Sequence, residues 1–510
     1  MTILRKNDMI LNQILIFIVK IVMNNYKALT NSIFSLKLAN NLTDNFLTVF
    51  IPLAVLFLFF LIFPYFTLAI SLILAVFFLI TKYQEYSLYL LSFLIPFINL
   101  YIPFDKLNIN YLGFSKEFAV PLVDLFGIAL FLSFLIDFLE KKFNKDEKIK
   151  IKSSALIAFL FFFIISLLSA VNAYSWFGSA WYSIRWILVF YLVYIILPVN
   201  IIKSKRILKN TVFSFVLAGV FVSLMGIASI FYQDVSSEFM RLKPVSIFGS
   251  YPIGENQKQI SEILVVASMF AAMLFYWAKE NIFQRYLFFI LWAVFTTVLL
   301  GSFSRAAWLI AGLQVLFLFY KYRLKIKEYQ VQIILISVLL LAVLAPVVYY
   351  MIILQTNAPG LGSNEHRALL NQLAWEGFLR HPILGHGSGD FFYLVDTNIR
   401  YRATGASLMD SHGIWQKIAS ETGILGLASF IAFIGAIGGF VYRKYRKIKD
   451  EFNKELFVYT IAASLSIFLF EWFDTSFYRG KLWFVVGIML AAAYIFTEEE
   501  KQKQYEDTAN

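Results

Sequence analysis

The sequence of 510 residues contains no cysteine and few charged residues. Without cysteine the chain has no disulfide bonds, iron–sulfur clusters or zinc sites built on thiolates. Charged residues make up only 15% of the chain, whereas soluble domains contain roughly 25%. Because so little charge cannot cover the surface of a soluble protein of this length, the composition excludes a soluble enzyme and favours one membrane-embedded unit.

Apolar and aromatic side chains are abundant instead, at 60% and 18% of the residues, and the mean hydropathy is +0.72. Apolar runs of about 17–25 residues are long enough to cross a bilayer as helices. We therefore predict an all-α polytopic membrane protein with about 12 to 14 transmembrane helices and one large outer loop that contains short helices. The candidate runs lie near residues 47–63, 65–81, 86–103, 118–138, 154–171, 180–199, 210–231, 259–278, 283–301, 304–322, 332–352, 423–442, 456–472 and 480–497.

The distribution of lysine and arginine predicts the orientation of the chain. Short connections that would share one side are dense in positive charge, as in 141–152 and 443–454, whereas the long connection 353–422 has five Lys or Arg. Both termini are therefore predicted to be cytoplasmic. The net charge of +12 is then mainly a topology signal, and nucleic acid is not an expected partner, whereas membrane lipids are.

The predicted organisation has five parts. They are a cytoplasmic or interfacial N-terminal segment (1–46), transmembrane helices 1–11 (47–352), the large outer loop (353–422), the C-terminal transmembrane helices (423–497) and a cytoplasmic tail (498–510). The outer loop is polar and rich in glycine, and loops of this length in compact proteins are typically functional or disordered. Its composition argues against disorder.

The four histidines of the chain all lie in this loop, at His366, His381, His386 and His412. An amphipathic helix is predicted over Glu365–Arg380, and the proline and alternating glycines of residues 381–391 predict a backbone-lined turn. His412 precedes a predicted helix at the membrane surface, where an imidazole can take a proton from a hydroxyl group. The alternative is that His412 only caps or hydrogen-bonds the loop.

Three arginines are candidates for binding an anion. Arg305 lies between two predicted spans on the outer side, where a guanidinium either contacts a lipid phosphate or binds an anionic ligand. Arg185 lies inside a predicted span, which favours a buried ion pair or a ligand contact. Arg367 lies on the predicted loop helix, where a single arginine is typically a solvated charge.

A metal site in the loop deserves consideration because His381, His386, Asp390 and His412 carry nitrogen and oxygen ligands. Their spacing matches no zinc signature, so we predict neither a metal nor a cofactor. The tripeptide Asp410-Ser411-His412 places its groups adjacent in sequence, unlike a hydrolytic triad. Aromatic residues of the loop form either sugar-stacking surfaces or an aromatic belt at the membrane rim. They are Trp375, Phe391, Phe392, Tyr393 and Tyr401.

Several of these segments occur in the order found in a known family. They are Ser304-Arg305 at the start of a span, Arg367 in the long loop, His381-Pro382-Ile383-Leu384-Gly385-His386-Gly387, and His412 ahead of Glu421-Thr422-Gly423-Ile424-Leu425-Gly426. With this combination, the sequence over roughly 245–430 resembles the O-antigen ligase and O-antigen polymerase superfamily of polytopic undecaprenyl-diphosphate-glycan transferases. Ala306-Ala307 and Gly413 depart from the family's common pattern, in which glycine and asparagine are frequent at these places.

The resemblance implies a glycosyltransferase of the bacterial cytoplasmic (inner) membrane whose site faces outward. It implies that Arg305 and Arg367 bind the diphosphate of an undecaprenyl-diphosphate-linked glycan donor and that His412 activates the acceptor hydroxyl. Arginines that neutralise the leaving group make a metal unnecessary, so we expect an inverting, metal-independent transfer in cell-envelope polysaccharide biosynthesis. Further candidates for the site are Arg185, His381, His386 and Asp390.

Three kinds of acceptor stay open under this prediction. They are a lipid A core, for a ligase acting in lipopolysaccharide synthesis; another lipid-linked glycan, for an O-antigen or exopolysaccharide polymerase; and a protein, for an oligosaccharyltransferase. A transporter of lipid-linked glycans, with Arg185 and Arg305 along its path, and a scaffold without chemistry are alternatives of other classes. A shared site for Arg305, Arg367 and His412 would favour the enzyme.

Overall fold

The computed structural model describes residues 76–77, 79–102, 120–144, 151–232, 241–247, 251–326, 363–404, 410–474 and 476–509. Their secondary structure is helical apart from one pair of two-residue strands. The predicted segments 1–46, 47–63 and 332–352, and most of 65–81, lie outside these residues. The chain divides into two compact units, residues 1–83 with 132–149 and residues 84–131 with 150–510.

The helices are described here in chain order. They are α1 (Gln84–Leu94), α2 (Leu122–Asn144), α3 (Leu156–Ser169), α4 (Trp176–Ile201), α5 (Lys205–Ala228), α6 (Gln257–Trp277), α7 (Ile282–Gly301), α8 (Arg305–Ile326), α9 (Ser363–Arg380), α10 (Phe391–Asp396), α11 (Ile399–Arg402), α12 (Ile414–Tyr445), α13 (Glu451–Glu471) and α14 (Gly480–Ala509). The strands β1 (Tyr101–Ile102) and β2 (Val120–Pro121) pair antiparallel, with Tyr101 opposite Pro121.

Within the described residues, eight helices are long and apolar enough to cross a membrane. They are α2, α4, α5, α6, α7, α12, α13 and α14. A spanning segment in lipid must satisfy every backbone hydrogen bond internally, which a helix does. The prediction of an all-α polytopic membrane protein is therefore confirmed, and the chain is a multi-pass membrane protein.

Two helices differ from the predicted runs for local reasons. The run at 86–103 is helical only to Leu94, because the chain tightens into a 3₁₀ turn over Ile95–Phe97 that contains Pro96 and then enters β1. The helix α12 starts nine residues before the predicted span at 423–442 and passes through a kink at Gly423, where φ is 64° and ψ is −164°. The end of the predicted loop is therefore the first part of a membrane helix.

Of the first unit, the structure describes residues 76–77, 79–83 and 132–144. Asp137 and Lys141 form an ion pair of 2.8 Å there. They are one turn apart in α2, the spacing at which side chains meet on a helix surface. This pair is a local feature of the helix and takes no part in the site described below.

In the second unit, α6 is the central helix and packs against α5, α7 and α13. Its start is fixed by a capping box: the Asn256 side chain accepts a backbone N–H of the first turn, and the Gln259 side chain accepts the backbone N–H of Asn256. Three polar side chains at the contact of α6, α8 and α13 are paired: Ser268 donates to Gln314 at 2.8 Å, and Gln314 donates to Ser466 at 2.8 Å. Because buried polar groups cost free energy unless they are hydrogen-bonded, this pairing permits α6, α8 and α13 to pack closely.

Contacts between helix ends show which ends lie on the same side of the helix bundle in the second unit. Lys152 pairs with Glu498 at 2.8 Å, Lys205 pairs with Glu499 at 2.6 Å, and Tyr276 at the end of α6 stacks on Phe452 at the start of α13. Because a helix of about 20 residues is about 30 Å long, the start of α6 and the residues after α13 lie at the opposite end. We call this opposite end, which carries Lys258 and Asp474, the site end.

Candidate functional site

His412 lies at the site end, directly before α12, and two charged residues from other elements approach it. Nζ of Lys258, in the first turn of α6, is 3.4 Å from Nδ1 of His412. The same Nζ is 3.6 Å from Oδ1 of Asp474, in the turn between α13 and α14. Burial, followed by the positive charges of Lys258 and Arg367, lowers the pKa of His412 to about 4. The imidazole is therefore neutral at pH 7.

Two arginines extend this cluster. Arg367 on the loop helix α9 interacts electrostatically with His412, with Asp474 and with Arg305 at the start of α8. Burial and the charge of Arg305 lower the pKa of Arg367, although a guanidinium stays charged at any physiological pH. Among the described residues, Nε of Arg367 is buried without a hydrogen-bond partner. Two cations that repel each other, one of them with an unsatisfied donor, form a site suited to an anion.

A buried ion-pair network fixes the segment that carries His412. Lys417, in the first turn of α12, donates to both carboxylate oxygens of Asp410 at 2.7 Å and pairs with Glu421 at 3.1 Å. Asp410 also accepts the backbone N–H of Ser411 at 2.9 Å. Since both oxygens of Asp410 are directed to Lys417, the tripeptide Asp410-Ser411-His412 is a structural turn.

The glycine-rich turn after α9 is hydrogen-bonded to the kink in α12. Ile424 N–H donates to Pro382 O at 2.8 Å, and Gly387 N–H donates to Glu421 O at 3.0 Å. One glycine on each side of this contact is required by close approach: a Cβ on Gly385 in the turn would lie 2.2 Å from the backbone carbon of Glu421, and one on Gly423 in the kink would lie 2.4 Å from Ile383 O. Both have positive φ, +71° and +64°.

The other loop candidates belong to this turn. His386 is buried and donates from Nδ1 to Ser420 O at 2.6 Å, and burial lowers its pKa to about 4. Asp390 accepts the backbone N–H of Tyr174 at 2.6 Å, and burial raises its pKa to about 6. His381 is exposed at the start of the turn. His386 thereby holds the loop to α12, and Asp390 holds it to the connection between α3 and α4.

Arg185 lies in a different polar group. It is buried in a π-helical stretch of α4, with its guanidinium 4.1 Å from the ring centroid of Trp186. It interacts electrostatically with Asp124 of α2, to which Tyr194 donates a short hydrogen bond. Of the two interpretations of Arg185, a bundle-internal polar contact is the one that these neighbours support.

The aromatic residues of the loop divide into two sets. Phe391 and Tyr401 are fully buried with Leu370 and Leu373 in a small core between α9, α10 and α11. They are therefore unavailable for stacking on a sugar. Trp375, by contrast, is 59% exposed and stacks on Phe378 with ring centroids 5.3 Å apart.

Lys258 and Asp474 were not among the sequence candidates. The sequence holds a signal for both, since each lies at the end of a predicted span, before 259–278 and after 456–472, where a charge is costly without a partner. The same reasoning had singled out Arg305. No spacing rule could link the two residues, because about 215 residues separate them in the chain. Within the described ranges, no group of three His, Asp or Glu side chains converges to hold a metal ion.

The apolar helices and this cluster define a multi-pass membrane protein with a cationic site at one end of its helices. Residues 287–431 match the family model described as O-antigen ligase. The matched segment contains Arg305, Arg367 and His412, and it confirms the resemblance to the O-antigen ligase and polymerase superfamily. The match supports an O-antigen ligase or polymerase type of function in polysaccharide biosynthesis. No curated protein matches the chain significantly.

Proposed function

We propose that the protein transfers a glycan from undecaprenyl diphosphate to an acceptor hydroxyl at the outer face of the bacterial cytoplasmic membrane. The observation that carries this proposal is the convergence of Arg305, Arg367 and His412, which come from three separate segments, on one charged cluster. A transporter is less well supported, because Arg185 interacts with Asp124 in a separate polar group.

The two arginines are suited to the diphosphate of the donor. Arg305 and Arg367 repel each other in the folded protein, and this repulsion contributes to the lowered pKa of Arg367. A bound diphosphate offsets the repulsion and accepts hydrogen bonds from both guanidinium groups, which bind phosphate in a bidentate geometry. Negative charge grows on the leaving diphosphate as the glycosidic bond breaks, so the same contacts strengthen in the transition state.

The transfer is a single displacement. The acceptor oxygen forms a bond to the anomeric carbon, the bond from that carbon to the diphosphate oxygen breaks, and His412 takes the hydroxyl proton. The products are the glycosylated acceptor with inverted configuration and undecaprenyl diphosphate, and the proton later passes from His412 to solvent. A neutral imidazole, as the pKa of about 4 implies for His412, is the form that can accept this proton.

The test is transfer by purified full-length protein from an undecaprenyl-diphosphate-linked oligosaccharide to candidate acceptors. Arg305→Ala and Arg367→Ala should each lower turnover by at least about 100-fold, as loss of one donor to a developing charge typically does. Arg400→Ala is the matched control, because Arg400 lies in the same loop and pairs with Glu376 at 2.6 Å, away from the cluster. Near-normal turnover in either cluster variant would remove that arginine from the diphosphate site.

Two further arms of this assay define the reaction. Excess chelator should leave turnover unchanged, because the arginines supply the charge that a metal would otherwise provide; loss of activity that one divalent ion restores would contradict the metal-independent step. Offering a lipid A core, a second lipid-linked glycan and a peptide side by side distinguishes ligase, polymerase and oligosaccharyltransferase. The donor chemistry is the same in all three.

A further inference from the structure

Lys258 places its ammonium group 3.4 Å from Nδ1 of His412, and it lies outside the segment matched by the family model. Its position is set by the first turn of α6, where its backbone N–H donates to Asn256 Oδ1 at 3.1 Å and Gln259 closes the capping box. A capped helix start is a rigid platform for a side chain. The capped start therefore fixes the backbone of Lys258 within reach of His412, and the side chain is positioned by Asp474.

The chemistry of the two groups determines which imidazole nitrogen carries the proton. An ammonium group has only donors, so Nδ1 of His412, 3.4 Å from Nζ of Lys258, is the acceptor. In the neutral imidazole the hydrogen then lies on Nε2. In this arrangement neither nitrogen is available to a hydroxyl proton, because Nδ1 is engaged by Lys258 and Nε2 already has its hydrogen.

We propose that Lys258 binds the donor diphosphate together with Arg305 and Arg367, and that its move from His412 to a phosphate oxygen frees Nδ1 to act as the base. This inference rests on the proposed function and assigns Lys258 a new role in it. Lysine has a flexible four-carbon stem, and an anionic phosphate oxygen is a stronger acceptor for its ammonium group than a neutral imidazole.

The charges of the cluster fit a diphosphate. Lys258, Arg305 and Arg367 contribute three positive charges and Asp474 contributes one negative charge, which leaves an excess of positive charge opposite the two ionised phosphates of a lipid-linked donor. Asp474 holds the ammonium group of Lys258 at 3.6 Å, beside the histidine. The carboxylate thereby positions Lys258 while the site awaits its anion.

A consequence is that donor binding should raise the basicity of His412. The charged groups that face the ring are Lys258 from α6, Arg367 from α9 and Asp474 from the turn after α13; Asp410, on its own segment, is engaged by Lys417. A diphosphate neutralises the two cations that now oppose protonation of the ring. Activation of the acceptor is in this way coupled to the presence of the donor.

The first test is a binding measurement on the full-length protein in detergent, with inorganic pyrophosphate as the probe. Lys258→Met should weaken binding by about tenfold or more, the effect of one charge-assisted hydrogen bond, and Lys258→Arg should retain most of the affinity. Lys279→Met is the control, because Lys279 is exposed at the other end of α6. Binding by Lys258→Met that equals the wild type would overturn the inference.

The second test separates this role from a merely structural one by its pH dependence. With acceptor saturating, the rising limb of kcat should lie at least about one pH unit above that of kcat/KM for the donor in the wild type, since kcat reports the donor complex and kcat/KM the free enzyme. In Lys258→Met the rising limb of kcat/KM should move to higher pH, so that the pH difference between the kcat and kcat/KM limbs becomes smaller. The same pH difference in variant and wild type would contradict the proposal that donor binding frees His412 from Lys258.

Pyrophosphate binding by Asp474→Asn is a further test, which does not depend on the folding of the lysine variant. Loss of the competing carboxylate should leave pyrophosphate binding equal or tighter, and weaker binding would count against the inference. Undecaprenyl diphosphate in the same micelles should displace pyrophosphate, whereas displacement by phosphatidylglycerol alone would identify a general lipid phosphate site. Absence of glycan transfer in the wild type would refute the proposed function, and the pyrophosphate comparison would still decide the role of Lys258.

Discussion

The buried lysine of α12 offers the most direct test of how the site is held. The Lys417 side chain is 1% exposed and forms ion pairs with Asp410 at 2.7 Å and Glu421 at 3.1 Å. In Lys417→Met a side chain of similar length remains, but the two buried carboxylates lose their counter-charge. Breaking a buried pair in this way costs about 3–5 kcal/mol. We expect a loss of this size in the free energy of unfolding.

Removal of all three charges should be far less harmful than removal of the lysine alone. In the triple variant Asp410→Asn, Lys417→Met, Glu421→Gln no unpaired charge is left, and replacement of a complete buried ion pair is often close to neutral. Stability should largely return. Glycan transfer should stay impaired in the lysine variant, because His412 lies on the turn that this network holds and a shift of about 1 Å costs roughly 100-fold in rate.

The assay is equilibrium unfolding of purified protein in mixed micelles, followed by tryptophan fluorescence at two pH values. Burial raises the pKa of Asp410 in the folded protein. A carboxyl group with a raised folded-state pKa contributes stability below its unfolded pKa and loses it as pH rises through the folded pKa. Lys417 opposes this rise in the wild type, so its removal should raise the pKa of Asp410 further, and the deficit of Lys417→Met should be larger at about pH 8 than at about pH 5.5.

The control is Lys454→Met, which removes a partly exposed lysine 3.9 Å from the exposed Glu451 and should change stability by less than about 0.5 kcal/mol. Two results would refute the reasoning about Lys417. One is an unfolding free energy for Lys417→Met within about 0.5 kcal/mol of the wild type, since loss of a buried partner costs several times more. The other is a deficit that grows as the pH falls.

Two further predictions concern the glycine-rich turn. Gly385→Ala should lower the unfolding free energy by about 2–4 kcal/mol, because its Cβ would lie 2.2 Å from the backbone carbon of Glu421 at a φ of +71°; Gly435→Ala, in α12 with nothing within 4 Å, should be neutral or slightly stabilising, and equal effects would contradict the close-approach argument. Asp390 has a pKa of about 6, raised by burial, so its contribution to stability is present below its unfolded pKa and is lost as pH rises through about 6. As the pH rises from about 5 to about 8, the unfolding free energy of Asp390→Asn should accordingly increase relative to that of the wild type. A difference in unfolding free energy that does not change with pH would show that Asp390 does not cause the pH dependence.

The apolar runs predicted helix positions well because lipid leaves a spanning segment no alternative to a helix. The run at 259–278 became α6 (Gln257–Trp277), and the amphipathic segment Glu365–Arg380 became α9 (Ser363–Arg380). The helix boundaries that depend on polar contacts are harder to predict from the sequence. The early start of α12 depends on Lys417 and its partners, and a lysine between two acidic residues gives no sign of burial until the neighbouring elements are placed.

The residues of the candidate site also fall into those that the sequence predicts and those that only tertiary contacts reveal. Arg305, Arg367 and His412 followed from a resemblance to known sequences, and the structure brings them into one cluster. The pair Lys258 and Asp474 follows from tertiary structure, because α6 and the turn after α13 meet only through packing. Charge at the mouth of a span is visible in sequence, whereas its partner is not.

The histidine and glycine pattern of residues 381–391 has a structural role that the sequence alone does not indicate. Read from sequence, it is a set of candidate ligands; in the structure its backbone is hydrogen-bonded to the kink at Gly423, from which α12 runs back to His412. The same turn ends α9, which carries Arg367. Because Gly385 and Gly423 make backbone contacts too close for a side chain, they hold the end of α9 against the kink of α12. We therefore expect the motif to act on the proposed site indirectly, through the relative position of the segments that carry Arg367 and His412.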